Sequence, residues 1–199
     1  GREPLHCARA PEAVRLLLAS GADINARTES GWTPLHYVAS TGHTAALVRL
    51  LLDSGARVDA PDRDGDTPLH VAAFGRDEDA VNLLLEYGAD VNASSYSGTT
   101  PLHRAAHAGR VAVIKLLIEA GADVGARDEN GASPLRQAVA MEHEEAAEVL
   151  LEAGAEHDIF SAAGLGDTRA IRDLLRGDAD LVDARDHREL TPLFWAVLY

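Results

Sequence analysis

The sequence holds nine histidines and 32 acidic residues, and one histidine pair has the spacing of metal ligands. His103 and His107 are four residues apart, so on a helix both side chains would lie on one face, as zinc-binding histidines do. The glutamate of the His-Glu-x-x-His signature is missing, because Arg104 follows the first histidine. We therefore expect no metal site at this pair.

A group of four carboxylates could also suit a cation: Asp59, Asp62, Asp64 and Asp66. A calcium loop of the EF-hand type would need oxygen ligands at positions occupied here by Ala60 and Val71. The segment Asp-Arg-Asp-Gly at 62–65 is typical of a tight turn, and this turn explains the cluster better than a cation does.

Motifs for phosphate binding and for nucleophilic catalysis are missing. Gly164-Leu165-Gly166 lacks the Lys and Ser or Thr of a phosphate loop, and no Gly-x-Ser-x-Gly elbow occurs. Cys7 falls at an apolar helix position, where packing in the core is expected. We expect no catalytic residue, no metal and no cofactor.

The elements that position these residues follow from an internal repeat. Thr-Pro-Leu-His begins at residues 33, 67 and 100, with weaker copies at 3, 133 and 191. The prolines at 34, 68, 101 and 134 are separated by 34, 33 and 33 residues. A second motif, Gly-Ala-Asp-Ile-Asn-Ala at 21–26, recurs in step at 55–60, 88–93 and 121–126.

A period of about 33 residues with the signature Thr-Pro-Leu-His-x-Ala resembles the ankyrin repeat, over essentially the whole chain. The resemblance implies an all-α solenoid of stacked helix-turn-helix pairs with short β-hairpin fingers between them. We expect a single ankyrin-repeat domain over residues 1–199. Its repeats would begin near 4, 34, 68, 101, 134 and 158, with a partial one at 192.

The motif residues have physical roles in such a fold. Thr33 can cap the first helix, and Pro34 suits the first helical position, where its missing N–H costs nothing. Gly88 permits the left-handed turn that ends the second helix. By the resemblance, the motif histidines join neighbouring turns by hydrogen bonds, and His43 belongs to the turn within a pair. The motif histidines are His6, His36, His70 and His103.

Departures from the repeat predict local irregularities. The first repeat is three residues short, so Pro11 is expected to begin its second helix. If Asp158 takes the proline position it follows Pro134 by 24 residues, and one finger is then missing near 157–158. Glu189 replaces the turn glycine of the last finger.

The last helix is expected to leave Leu193, Trp195 and Leu198 partly uncovered. Terminal repeats usually have polar outer faces, so the chain is expected to be a fragment of a longer array or to pack on another chain. The oligomeric expectation is a monomer, or weak self-association through this helix.

A formal net charge of −14 makes nucleic acid and anionic membrane poor partners, and no stretch approaches about 18 consecutive apolar residues. The expected partner is another protein, with a basic patch favoured by the charge. A single cysteine fits a reducing compartment, and a cytoplasmic location is expected.

By the resemblance, partners dock on the concave side, which is formed by the fingers and the first helices. The predicted contact residues are Trp32, Asp64, Asp66, Phe74, Tyr96, Thr99, His107, Glu129 and Met141. Exposed Trp and Tyr are frequent binding hot spots, although single exposed aromatic residues are also common without any function.

These patterns predict a protein–protein interaction scaffold and no enzyme. Two alternatives stay open, namely a regulatory or targeting arm of a larger enzyme and a self-assembling structural array. A metal-dependent hydrolase would require a metal ion at His103 and His107.

Overall fold

The computed structural model describes residues 10–41 and 45–199, so the predictions for His6, Cys7 and His43 lie outside the described residues. This part contains twelve α-helices and a 3-10 helix at Ala179–Asp183, with no residue assigned to a strand. The α-helices are α1 Pro11–Ala19, α2 Pro34–Thr41, α3 Ala45–Asp53, α4 Pro68–Phe74, α5 Glu78–Glu86, α6 Pro101–His107, α7 Val111–Glu119, α8 Pro134–Ala140, α9 Glu144–Glu152, α10 Ile159–Gly164, α11 Thr168–Gly177 and α12 Pro192–Leu198.

The helices form two parallel layers. Helices α2, α4, α6, α8, α10 and α12 make the first layer, in which each helix packs on the next. Helices α1, α3, α5, α7 and α9 pack in the same way to make the second layer. The prediction of an all-α solenoid of stacked helix pairs is confirmed, and Pro11 begins a helix as expected.

The core between the layers is long and narrow, and most of its largest fully buried side chains are leucines. Each first helix from α2 to α8 contributes a fully buried leucine at an equivalent position, and so does each second helix from α3 to α9. These residues are Leu35, Leu69, Leu102 and Leu135, and Leu51, Leu84, Leu117 and Leu150. Because neither helix of a pair could bury such a residue alone, stacking is what stabilises each pair.

The fingers between pairs are hydrogen-bonded turns at 28–32, 62–66, 95–99, 128–132 and 186–190. In each, the first residue donates its backbone N–H to the carbonyl of the fifth, as Asp62 does to Asp66 at 2.9 Å. One such bond closes each finger, which is too short for a strand ladder. The fingers are therefore present where expected, as hairpin turns without strands in the described residues.

The missing finger is confirmed between α9 and α10, which only residues 153–158 connect. The predicted register was wrong by one position. Asp158 is the N-cap of α10, where it accepts from the backbone N–H of Ser161 at 2.7 Å, and Ile159 takes the proline position. Ile159 follows Pro134 by 25 residues and precedes Pro192 by 33.

Arg136 stands where the other repeats have the motif histidine, and it bridges the joint that lacks a finger. Its guanidinium donates to Asp158 Oδ2 at 3.2 Å and to the carbonyl of Asn130 at 3.2 Å. The same group lies 5.0 Å from the centre of the Phe160 ring, which is cation–π distance. An ion pair thus replaces the link that a finger would otherwise provide.

At α12 one expectation was wrong. Trp195 is buried, because its ring packs against Phe160 and Tyr199 and its Nε1 donates to Asp186 Oδ2 at 3.0 Å. Leu193 and Leu198 are exposed as expected, at 73% and 52%. Among the described helices, none combines the length and the apolar character that crossing a membrane requires.

Candidate partner-binding groove

The motif histidines hold the concave side in place. His36, His70 and His103 are buried, and each accepts through Nδ1 from the backbone N–H of the capping threonine three residues earlier. Each Nε2 bonds to a backbone carbonyl of the next finger. These carbonyls belong to Asp66, Thr99 and Ala132, at 3.1, 2.9 and 2.9 Å.

This arrangement selects the neutral imidazole. Because Nδ1 accepts a hydrogen bond, the ring proton is on Nε2, which donates to the carbonyl. A second proton would place an N–H at Nδ1, facing the N–H of the threonine. Burial lowers the pKa of His36, His70 and His103 below the usual value, although the bond to the finger carbonyl raises it in part.

Successive fingers are joined to one another by backbone hydrogen bonds. Arg63 N donates to the carbonyl of Ser30 at 3.0 Å, and Tyr96 N donates to that of Asp64 at 2.9 Å. The turn glycine Gly65 has a φ of +83°, and a Cβ there would lie 2.7 Å from Tyr96 N. Glycine therefore serves both the turn and the approach of the next finger.

A groove of about 280 Å³ lies where two of these fingers meet the first helices α2, α4 and α6. The surface of the groove is mostly apolar, and it includes one carboxylate and one guanidinium. The lining residues are Trp32, Ser40, Asp66, His70, Val71, Phe74, Gly75 and Arg104. Three of the predicted contact residues, Trp32, Asp66 and Phe74, therefore come together here.

Trp32 is fixed by its neighbours and half-buried. Its Nε1 donates to Asp62 Oδ2 at 3.0 Å, and its ring meets the edge of Tyr37 at 5.0 Å between centroids. The ring therefore links the finger at 28–32 to the finger at 62–66. The ring still forms one wall of the groove.

Asp66, another of the predicted contact residues, is paired within the protein. Its Oδ2 lies 2.6 Å from Arg104 Nη2, and its side chain is largely buried. The guanidinium balances the charge, so Asp66 adds no net negative charge to the groove. Asp64 and Glu129, both exposed on finger tips, remain as the acidic residues of the predicted set.

Phe74 and His107 form the open side of this region. Phe74 is 48% exposed, and its ring stacks on that of His107 with 6.2 Å between centroids. The remaining predicted residues do not line the groove. Tyr96 is 68% exposed on its finger, Thr99 supplies the carbonyl that His70 binds, and Met141 is the C-cap of α8.

Sequence reasoning missed Arg104 and Val71. Both occupy the variable position of Thr-Pro-Leu-His-x-Ala, which is Tyr37 in α2 and Gln137 in α8. All four are half-buried, next to the buried face of their helix. The variable position of the motif is therefore the feature of the sequence from which these two groove residues could have been found.

In each of the two suspected cation sites, one side chain is occupied by hydrogen bonds within the protein. Both ring nitrogens of His103 bond to Thr100 and Ala132, and Asp62 accepts from the backbone N–H groups of Asp64 and Asp66. In residues 10–41 and 45–199, no group of three or more His, Cys, Asp or Glu side chains could hold a metal ion.

The family described as ankyrin repeats (three copies) matches residues 5–95 and 93–161, together more than half of the chain. The chain belongs to the ankyrin-repeat family. Ankyrin repeats generally mediate protein–protein interaction, and stacked repeats present an extended concave surface for it. The groove is formed by two fingers and by the first helices α2, α4 and α6.

A shorter likeness, about the length of one repeat, relates part of the chain to named proteins. A stretch of 32 residues is 56% identical to protein phosphatase 1 regulatory subunit 27 of Homo sapiens, and the protein of that name in Mus musculus matches equally. The match covers 16% of this chain and 21% of the relatives, so it spans about a fifth of their length.

Proposed function

We propose that this chain is a non-catalytic protein-binding scaffold and that the groove between Trp32 and Phe74 receives an apolar side chain of the partner. The observation that supports this most directly is an exposed aromatic ring beside an apolar recess, on the surface that ankyrin proteins use for binding. Aromatic residues in such positions contribute about 2–4 kcal/mol each to binding when they are hot spots.

Electrostatics favours a partner with a positive patch. The chain has a net charge of −14. Asp64 is exposed on a finger that borders the groove, and Glu129 is exposed on a finger further along the stack. Long-range attraction would raise the association rate of a basic partner, and the effect would weaken as salt rises.

A second candidate is a regulatory or targeting arm that binds an enzyme. It is favoured by the likeness to a relative whose name is that of a phosphatase regulatory subunit. The two candidates share the groove and differ in the identity of the partner.

Phe74→Ala is the substitution that tests the groove. Trp32→Ala would also remove the bond to Asp62, whereas the ring of Phe74 stacks on His107 at the open side. Leu16→Ala is the matched control, because Leu16 is 69% exposed on α1 in the other layer. Partners are captured from host lysate by the unmodified chain, identified by mass spectrometry and then titrated by calorimetry.

We expect Phe74→Ala to weaken binding of the captured partner at least about tenfold, while Leu16→Ala leaves it unchanged. Circular dichroism of both variants should match that of the unmodified chain. Equal affinity for all three proteins would remove the groove from the proposal.

A further inference from the structure

The helix stack changes its packing at the joint without a finger. Helix α9 packs on α7 like the earlier second helices, but α11 packs chiefly on α10 and on the 3-10 helix at Ala179–Asp183. The second layer is therefore interrupted after α9, and the space beside α9 is not filled as it is at the other joints.

A cleft of about 400 Å³ lies at this interruption, bordered by the C-terminal ends of α8 and α10, one face of α9 and Tyr199. Val139, Leu151 and Leu165 supply apolar surface. Gly164 lies against Val139 so closely that a Cβ would come within 2.5 Å of Val139 Cγ1. The volume falls in the range of about 300–1,000 Å³ that is usual for ligand pockets, and it admits side chains but no folded element.

The polar part of the cleft is negative. Glu142, Glu144 and Glu148 line it with exposed carboxylates, and none of the three forms an ion pair with a described residue. No lysine or arginine is among the described residues that line it. His143 also lines the cleft, and its Nε2 bonds to the carbonyl of His107 at 3.2 Å.

An aromatic ring adds a second feature that favours a cation. Tyr199 lines the cleft, and its ring packs 4.8 Å from that of Trp195 between centroids. Arg188 approaches the Tyr199 hydroxyl at 3.5 Å but does not line the cleft. An aromatic face beside carboxylates suits a guanidinium, which stacks on rings and bonds to carboxylates in a bidentate way.

We propose that this cleft binds a short segment of a partner protein in which an arginine lies beside a bulky apolar residue. The guanidinium bonds to Glu144 and Glu148 and packs on Tyr199, and the apolar residue contacts Leu151 and Leu165. The site is separate from the groove at Phe74, so the chain can bind two protein segments at once. The proposal does not depend on the function of that groove.

The test uses two fluorescein-labelled peptides and the full chain. One peptide contains Arg-Leu-Arg between Gly-Ser flanks, and in the other both arginines are glutamine. We expect anisotropy to show binding of the arginine peptide below about 1 mM in about 0.15 M salt, and none of the glutamine peptide. Absence of binding by the arginine peptide overturns the proposal.

Two triple variants with the same change in net charge distinguish binding at the cleft from general attraction of the peptide to an acidic protein. The cleft variant is Glu142→Gln, Glu144→Gln and Glu148→Gln, and the control, on exposed residues that do not line the cleft, is Glu119→Gln, Glu145→Gln and Glu152→Gln. We expect the cleft variant to bind about tenfold more weakly and the control within about twofold. Equal weakening by both overturns the proposal.

Two further measurements exclude other occupants. Tyr199→Leu should weaken binding about two- to fivefold through loss of the ring, while Phe74→Ala should leave it unchanged. Sedimentation velocity tests for self-association. A dimer that the cleft variant dissociates would overturn the peptide proposal and assign the cleft to contact between copies of this chain.

Discussion

The joint at Arg136 yields a prediction that runs against the family pattern. Arg136→His would restore the motif histidine, yet we expect it to destabilise the chain. The histidines of the other repeats bond to a finger carbonyl about 30 residues further on, and no finger follows at this joint. The shorter imidazole would lose the bonds to Asp158 and Asn130 that Arg136 now makes.

The size of the expected loss of stability follows from the burial of the ion pair between Arg136 and Asp158. The side chains of Arg136 and Asp158 are only 7% and 15% exposed, so removing the arginine leaves a carboxylate that is poorly solvated. Breaking a buried ion pair costs about 3–5 kcal/mol. Asp158 keeps the backbone bond from Ser161 and a more distant contact with Arg127 at 3.8 Å, so we expect a loss of about 2–3 kcal/mol.

The assay must show which helices lose stability, because a repeat array need not unfold in one step. Hydrogen exchange read by mass spectrometry should show faster exchange in α8 and α10 and unchanged exchange in α4. A urea titration gives the total loss, and Arg136→Met, which keeps the apolar stem, should behave like Arg136→His. Arg172→His is the control, since Arg172 is exposed on α11. Exchange in α10 that Arg136→His leaves unchanged would show that Arg136 does not hold this joint together.

The buried histidines and the last finger give two more predictions. Because the pKa of each buried motif histidine is lowered below 6.5 in the folded state, the unfolded chain binds more protons as the pH falls below about 6.5. The free energy of unfolding from urea titrations should therefore be highest above that pH and decrease below it; a value that rises on acidification would contradict the neutral tautomer. Glu189 has a φ of 60°, so Glu189→Gly should stabilise the chain by about 1 kcal/mol, read as a higher urea midpoint than that of Glu189→Ala.

Much of the fold could be predicted because the same signals for helix starts and turns recur in several repeats. Proline at the first helical position and threonine before it define the starts of α2, α4 and α6. The missing finger was also predictable, because the repeat is shortened there. The exact start of α10 was not predictable, because Asp158 has no proline after it and caps the helix through a pair of hydrogen bonds with Ser161 instead.

The side-chain partners of the groove could not be predicted in the same way. Trp32 and Asp66 both flank a turn glycine, which is the pattern of a residue that faces a partner. Their actual contacts, with Asp62 and Arg104, depend on how neighbouring repeats are stacked. The prediction for Trp195 was wrong for the same reason, since its ring packs against Phe160 of α10, the neighbouring helix of the stack.

The irregular joint carries two substitutions that the regular repeats do not have. At the other joints an Asn or Asp near the end of the second motif accepts from the next loop, as Asn92 does from Asp123 N at 2.8 Å. In the following copy this residue is Gly125, and in the next repeat Arg136 stands in place of the motif histidine. Both standard links are thus lost at the joint where the finger is missing and the second layer opens. Because each repeat contacts only its neighbours, the cost of such a change stays local, and the array can hold a differently shaped site there without losing its other pairs.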